Sequence, residues 1–114
     1  MTLQEFYTVV GGDCQEAVGR MMGEAMLRRF LMKFPADPSF SELERALQSG
    51  DRETAFRAAH TMKGLCLNLG FGKLQHSSST LTEALRNETA DNAPELFRAV
   101  EADYALTMSA IEQL

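Results

Sequence analysis

DRETAFRAAHTMKGLCLNLGFG, residues 51–72, opens on an aspartate and closes on two glycines. Asp51 is a good helix N-cap, and Gly50 before it is a good terminator for whatever precedes. The spacing predicts a helix from there to Leu69, where Gly70 and Gly72 stop it. At about 100° per residue, Ala55, Ala59, Met62, Cys66 and Leu69 fall in one narrow stripe, which is the expected core face. By the same arithmetic His60 lies roughly 140° from the centre of that stripe, so it points outward.

Around His60 the outer face carries Glu53, Phe56, Arg57, Lys63, Gly64 and Leu67. Gly64 sits one turn after His60, where any side chain would lean back over the imidazole. A glycine inside a helix costs about 1 kcal/mol relative to alanine, and clearing space beside the histidine is a reason to bear that cost. Lys63, at i+3, can set an ammonium beside anything attached to the ring. An ordinary imidazole, with a pKa of about 6.5, is mostly neutral at pH 7 and therefore nucleophilic. Nucleophile, cleared space and fixed positive charge together suit a phosphoryl group. Phe56 and Leu67 on the same face, with Phe71 just past the helix end, suggest an apolar docking surface around a reactive group.

His60-Thr61-Met62-Lys63-Gly64, followed by Asn68-Leu69-Gly70, resembles the signature of histidine phosphotransfer domains. The likeness extends over nearly the whole chain: GGD near the start, Phe30 late in a long helix, SGD before the active helix, then Leu74 and Leu81 after it. It implies a small helical bundle that carries phosphoryl groups in two-component phosphorelays, with His60 as acceptor through its outer nitrogen, Nε2. It also implies that the inner nitrogen bonds to a side chain of the next helix. Thr82 aligns with that position, where some family members carry glutamine; Ser78, Ser79 or a water are the substitutes if threonine is too short. Phe56, Arg57, Leu67, Asn68 and Phe71 are the expected contacts for receiver domains and a sensor (hybrid) histidine kinase. Mg2+ is expected on the receiver, with no cofactor or metal held by this chain.

The 114 residues suit one domain, residues 1–114, and an apolar fraction of 45% is enough for a core. The formal charge of −5, with Lys and Arg scattered, argues against nucleic acid as a partner. No apolar run is long enough to cross a membrane, and no charged-then-apolar leader ends in small residues. Cys14 and Cys66 match no metal spacing, and a reduced, cytoplasmic setting fits them. Met1 and a compact end at Leu114 lead us to expect a freestanding monomer.

In chain order, Thr2 to Val10 reads as a short helix with a Thr2/Glu5 capping box and a Leu3, Phe6, Tyr7, Val10 stripe. Asp13 caps a long second helix, about Cys14 to Phe34. Its broad apolar front (Val18, Met21, Met22, Met26, Leu27, Phe30, Leu31, Phe34) suits burial between two neighbours, or a partner met by some of the methionines. Pro35 and Pro38 end it. A third helix covers about Ser41 to Gln48, with a Ser41/Glu44 capping box and Leu43 and Leu47 inward. After the active helix comes a fifth, about Lys73 to Asn87, with Leu74, Ser78, Leu81 and Leu85 in a stripe, and with Ser77, Ser78 and Ser79 expected to let it approach the active helix closely. Asn92 caps the last helix, Pro94 lies in its first turn, and Phe97, Val100, Tyr104, Met108 and Ile111 face inward.

The expected fold is all-α: an antiparallel up-and-down four-helix bundle from the second, fourth, fifth and sixth helices, with two short extras. The expected function is a phosphoryl carrier without kinase activity of its own, since no Gly-rich phosphate loop or nucleotide motif is present. Three blander readings stand beside it. His60 and Lys63 as plain solvated residues would leave the glycine between turns unexplained. An interaction module that binds and sequesters a receiver or kinase without being phosphorylated would have no use for the intact His60, Lys63 and Gly64. A metal site from His60, His76 and Cys66 fails because Cys66 lies about 120° around the helix from His60. His76, with no lysine or glycine following, reads as a surface histidine.

Overall fold

The computed structural model describes residues 1–87 and 91–114, and the described residues are helical, with no strand among them. The helices are α1 (Leu3–Val10), α2 (Cys14–Arg20), α3 (Glu24–Lys33), α4 (Ser39–Ser49), α5 (Arg52–Leu69), α6 (Gly72–Arg86) and α7 (Ala93–Glu112), with a 3-10 turn at Phe34–Ala36. Side-chain caps fix the starts of α1, α2 and α5. At α1 the Thr2/Glu5 box forms as expected: the Glu5 amide donates to Thr2 Oγ1 (3.1 Å) and the Thr2 amide to Glu5 Oε1 (2.9 Å). Asp51 accepts from the Thr54 amide (3.1 Å) and hydroxyl (2.7 Å), which fixes the start of α5.

Expectations for two segments are corrected here. The single helix from Cys14 to Phe34 is two helices, broken at Met21–Gly23. The Gly23 amide reaches back to the Val18 carbonyl (3.0 Å) and the Met22 amide to the Gly19 carbonyl (3.3 Å), the paired bonds of a Schellman C-cap. Met22 occupies the left-handed position (φ 61°) that glycine usually fills. The other correction is at α4, which begins at Ser39 rather than Ser41 and has no side-chain cap bond, so the Ser41/Glu44 box does not form. Nor is α4 an extra: it packs on α5 and buries Leu43 and Ala46.

Helix α5 lies against both α4 and α6, α6 against α7, and α1 against α7 and α6. The core stripe of α5 is buried as the spacing predicts, and Ala58 joins it. Leu74, Ser78, Leu81 and Leu85 of α6 are all buried. Helices α5 and α6 pack on each other, and each buries small residues, Ala55 and Ala59 on α5 and Ser77 and Ser78 on α6. Helix α3 is buried on one side only: Leu27 and Leu31 face the core, while Met26 and Phe30 are exposed. Val100 and Ile111 of α7 are buried, and Phe97, Tyr104 and Met108 are half-buried. Phe40 of α4 stacks on Tyr104 at 3.9 Å between ring centroids.

Gly12 and Gly70 cross where α1 ends and α5 gives way to α6. A Cβ on Gly12 would stand 1.9 Å from the Gly70 carbonyl oxygen, so only glycine allows the approach. Gly70 itself is left-handed (φ 77°) and turns the chain sharply into α6. The Tyr7 hydroxyl donates to the Leu69 carbonyl (2.7 Å) at the same junction. Burial raises the Tyr7 phenol far above its ordinary pKa, so it stays a donor.

Candidate functional site

The cap at Asp51 and the buried alanine stripe together fix the rotation of α5, and this rotation sets which residues face water. His60 is exposed, as the helical arithmetic predicts. One turn on, a Cβ added at Gly64 would meet no neighbouring atom within 4 Å, so the space beside the imidazole is open. Lys63 is half-buried and makes no ion pair with a carboxylate among the described residues. Its ammonium is therefore available to an incoming anion.

The other expected contacts separate into two groups. Phe56 is half-buried, while Arg57, Leu67 and Asn68 are exposed; Leu67 keeps 55% of its surface in solvent. Arg57 pairs with Glu53 (3.2 Å) one turn earlier, an exposed i,i+4 pair that a partner can displace at small cost. Phe71 is the correction. It is fully buried (0% exposed) and packs edge-on against Phe6 (5.8 Å) and Phe34 (5.0 Å). The turn at Gly70 swings it inward, so it belongs to the core and cannot contact a docked protein.

Thr82 also behaves differently from expectation. It is buried, and its hydroxyl donates to the Ser78 carbonyl (2.7 Å) within α6, the usual back-bond of a helical threonine. Its proton is thus used within α6, and no hydrogen bond joins Thr82 to His60 among the described residues. Ser78 is buried too, with no hydrogen-bond partner for its hydroxyl among the described residues. His76 is exposed on α6, with its carbonyl engaged by the Thr80 hydroxyl (3.1 Å).

The His60 ring is instead engaged by an aromatic neighbour. Phe56 lies 6.0 Å away between ring centroids with the planes 14° apart, a parallel stack one turn up the same helix. The guanidinium of Arg86, at the end of α6, sits 5.1 Å from the Phe56 centroid. Arg86 is held by Glu83 through two bonds of 3.3 Å. Sequence reasoning missed Arg86: 30 positions separate it from Phe56, and no local spacing signals the contact. It also missed Arg20, which pairs with Glu16 (2.6 Å) and donates to the carbonyls of Leu67 and, at 3.0 Å, Asn68. The i,i+4 spacing of Glu16 and Arg20 announces their pair but not where the arginine ends up.

Burial pushes the Cys66 thiol up to about 12, and it lies in the core on the stripe of α5 away from His60. No group of three His, Cys, Asp or Glu is placed to hold a metal ion among the described residues. No helix of the described residues is long and apolar enough to cross a membrane.

An exposed histidine with open space, a lysine and an apolar neighbour is the arrangement that the family resemblance led us to expect. Comparison with curated proteins and with solved structures returns no match. A protein-family model, the Hpt domain, matches residues 25–113, well over half of the chain. The chain therefore belongs to the Hpt domain family, whose members serve phosphotransfer in two-component phosphorelays.

Proposed function

We propose that this chain accepts a phosphoryl group on His60 from the phospho-aspartate of a receiver domain, or from a histidine kinase, and passes it to another receiver. The observation that carries the reading is the exposed imidazole with open space at Gly64 one turn on, in a chain of the Hpt family. The step is a simple displacement. The lone pair of one ring nitrogen, Nε2 in this reading, forms the N–P bond as the aspartyl O–P bond breaks. The carboxylate leaves with the bonding pair, and the proton on the other ring nitrogen stays on the ring.

Transfer of this loose kind depends on positioning and charge neutralisation. Lys63 supplies positive charge on this side, and Gly64 admits the group. The receiver supplies Mg2+ and its own lysine, so the chain needs no cofactor and has no kinase activity alone. Phe56, Arg57, Leu67 and Asn68 form the surface on which the partner sits. We further read α4 to α7, joined by short turns at Gly50–Asp51 and Gly70–Phe71, as an antiparallel up-and-down bundle that keeps this face rigid. The whole chain then acts as one monomeric domain beside its cytoplasmic partners.

Incubation with a phosphorylated receiver tests the assignment. Wild-type protein should take up acid-labile, alkali-stable label and His60→Gln should take up none. Label that persists on His60→Gln contradicts the role of His60. Tight receiver binding with no label on wild type favours the sequestering module instead.

A further inference from the structure

The acceptor imidazole must present one nitrogen to phosphorus along a defined line, so something has to fix its ring plane. Thr82 does not do so: its hydroxyl donates to the Ser78 carbonyl, and no hydrogen bond joins it to His60 among the described residues. The aromatic neighbour of the ring is Phe56, nearly parallel to it (14°) with the centroids 6.0 Å apart. Phe56 is in turn covered by Arg86, reaching across from α6 at 5.1 Å. Two contacts bear on Arg86, an exposed ion pair at its head and a backbone anchor beside it. Glu83, one turn earlier, holds its guanidinium, and Arg52 at the start of α5 donates to the Leu85 carbonyl (2.6 Å), anchoring the last turn of α6.

We infer that Phe56 is a positioning residue for His60, with Arg86 acting as the clamp that keeps the Phe56 ring in place. This rests on the carrier reading of His60 and assigns Phe56 a task beyond docking. A flat ring at i−4 limits rotation of the imidazole about its second side-chain torsion, which is otherwise broad. Arg86 limits Phe56 in the same way, through attraction of the guanidinium to the ring face. The stack also joins α5 to α6 at the site, so the plane of the imidazole is set by two helices.

The test uses the full chain, with two phosphodonors: a phosphorylated receiver at saturating concentration, and phosphoramidate, which is too small to dock. Wild type, Phe56→Leu, Phe56→Tyr and Arg86→Gln are compared, with folding checked by circular dichroism. Phe56→Leu should slow labelling from both donors roughly ten-fold, since small misplacements of a reacting group have effects of that order or larger. Phe56→Tyr should restore most of the rate, and Arg86→Gln should give a loss smaller than that of Phe56→Leu. The carbon-bound ring protons of His60 should show an upfield ring-current shift in NMR spectra that disappears in Phe56→Leu.

Equal labelling of Phe56→Leu and wild type by phosphoramidate overturns the inference while leaving the carrier reading intact. So does a loss seen only with the receiver, which would make Phe56 a docking residue alone. So, too, does an unchanged His60 ring-proton shift. Wild type that takes label from neither donor brings down the carrier reading itself, and this inference with it.

Discussion

Gly64 and Phe71 are the two residues whose replacement separates access from stability. Gly64→Ala adds a Cβ into open space in a helix interior, so it should stabilise the fold by about 0.5–1 kcal/mol in a denaturant titration. Gly64→Gln should leave the fold intact but lower the rate of phosphoryl uptake, because its side chain leans back over His60. Uptake at the wild-type rate in Gly64→Gln would remove the steric role. Phe71→Ala should cost about 3–5 kcal/mol, as expected of an emptied core site, whereas Leu67→Ala should change stability by no more than about 0.5 kcal/mol and weaken receiver binding. His60, Gly64 and Leu67 were legible in the sequence because helical phase assigns a face to every residue between two clear caps. Phe71 was not, because it falls just past Leu69, where the phase ends and the turn at Gly70 decides the direction. Thr82 was legible as an inward residue of α6 but not as one already bonded to Ser78.

Among the elements, the break between α2 and α3 separates what pattern reveals from what packing decides. Met21 and Met22 are good helix formers, and a left-handed methionine leaves no mark in composition. Met22 is 92% exposed, so nothing packs against it, and the conformation costs an L-residue about 1–2 kcal/mol. Met22→Gly should therefore stabilise the protein, by up to about 1 kcal/mol. In an unbroken helix the same change would destabilise by a similar amount, so the sign of the shift in denaturation midpoint distinguishes the two. The start of α5 makes a prediction in pH. The Thr54 hydroxyl, followed by its amide, holds the Asp51 carboxyl below its ordinary value of 3.8. Because the folded pKa is depressed, the stabilisation is present above about pH 4 and is lost as pH falls through the folded value. Between pH 5 and pH 2 the melting temperature of wild type should fall more than that of Asp51→Asn, which keeps a neutral cap. Equal slopes would mean that the carboxylate is not needed as an ion. This cap, like the Thr2/Glu5 box, was readable in advance because capping is local. The Ser41/Glu44 box had the same signature but did not form, since Pro38 lets α4 begin two residues earlier.

On the scale of the molecule, helical periodicity made the all-helical fold legible and left the partner of each helix open. The Asp51 cap and the stripes located α5, α6 and α7 to within a residue or two, although the Asn92 side chain makes none of the expected cap bonds to α7. They did not show that α4 packs on α5, because its short stripe suits a peripheral helix equally well. Nor did they reveal that α1 closes the junction beneath the site, where Phe6 and Tyr7 meet Phe71 and the Leu69 carbonyl. Residues of α1 and α2 lie outside the segment matched by the family model, yet they seal the end of α5 through Tyr7 and Arg20. In the carrier reading proposed above, this assembly presents one helix face bearing the His60 ring and leaves activation of the phosphoryl group to whichever protein docks. The most direct measurement is a two-stage transfer. The chain is labelled by one phosphorylated receiver, purified, and mixed with a second, unphosphorylated receiver. The account predicts that label localised to His60 moves to the aspartate of the second receiver. Label that resides elsewhere in the chain, or that leaves only as inorganic phosphate, would contradict it.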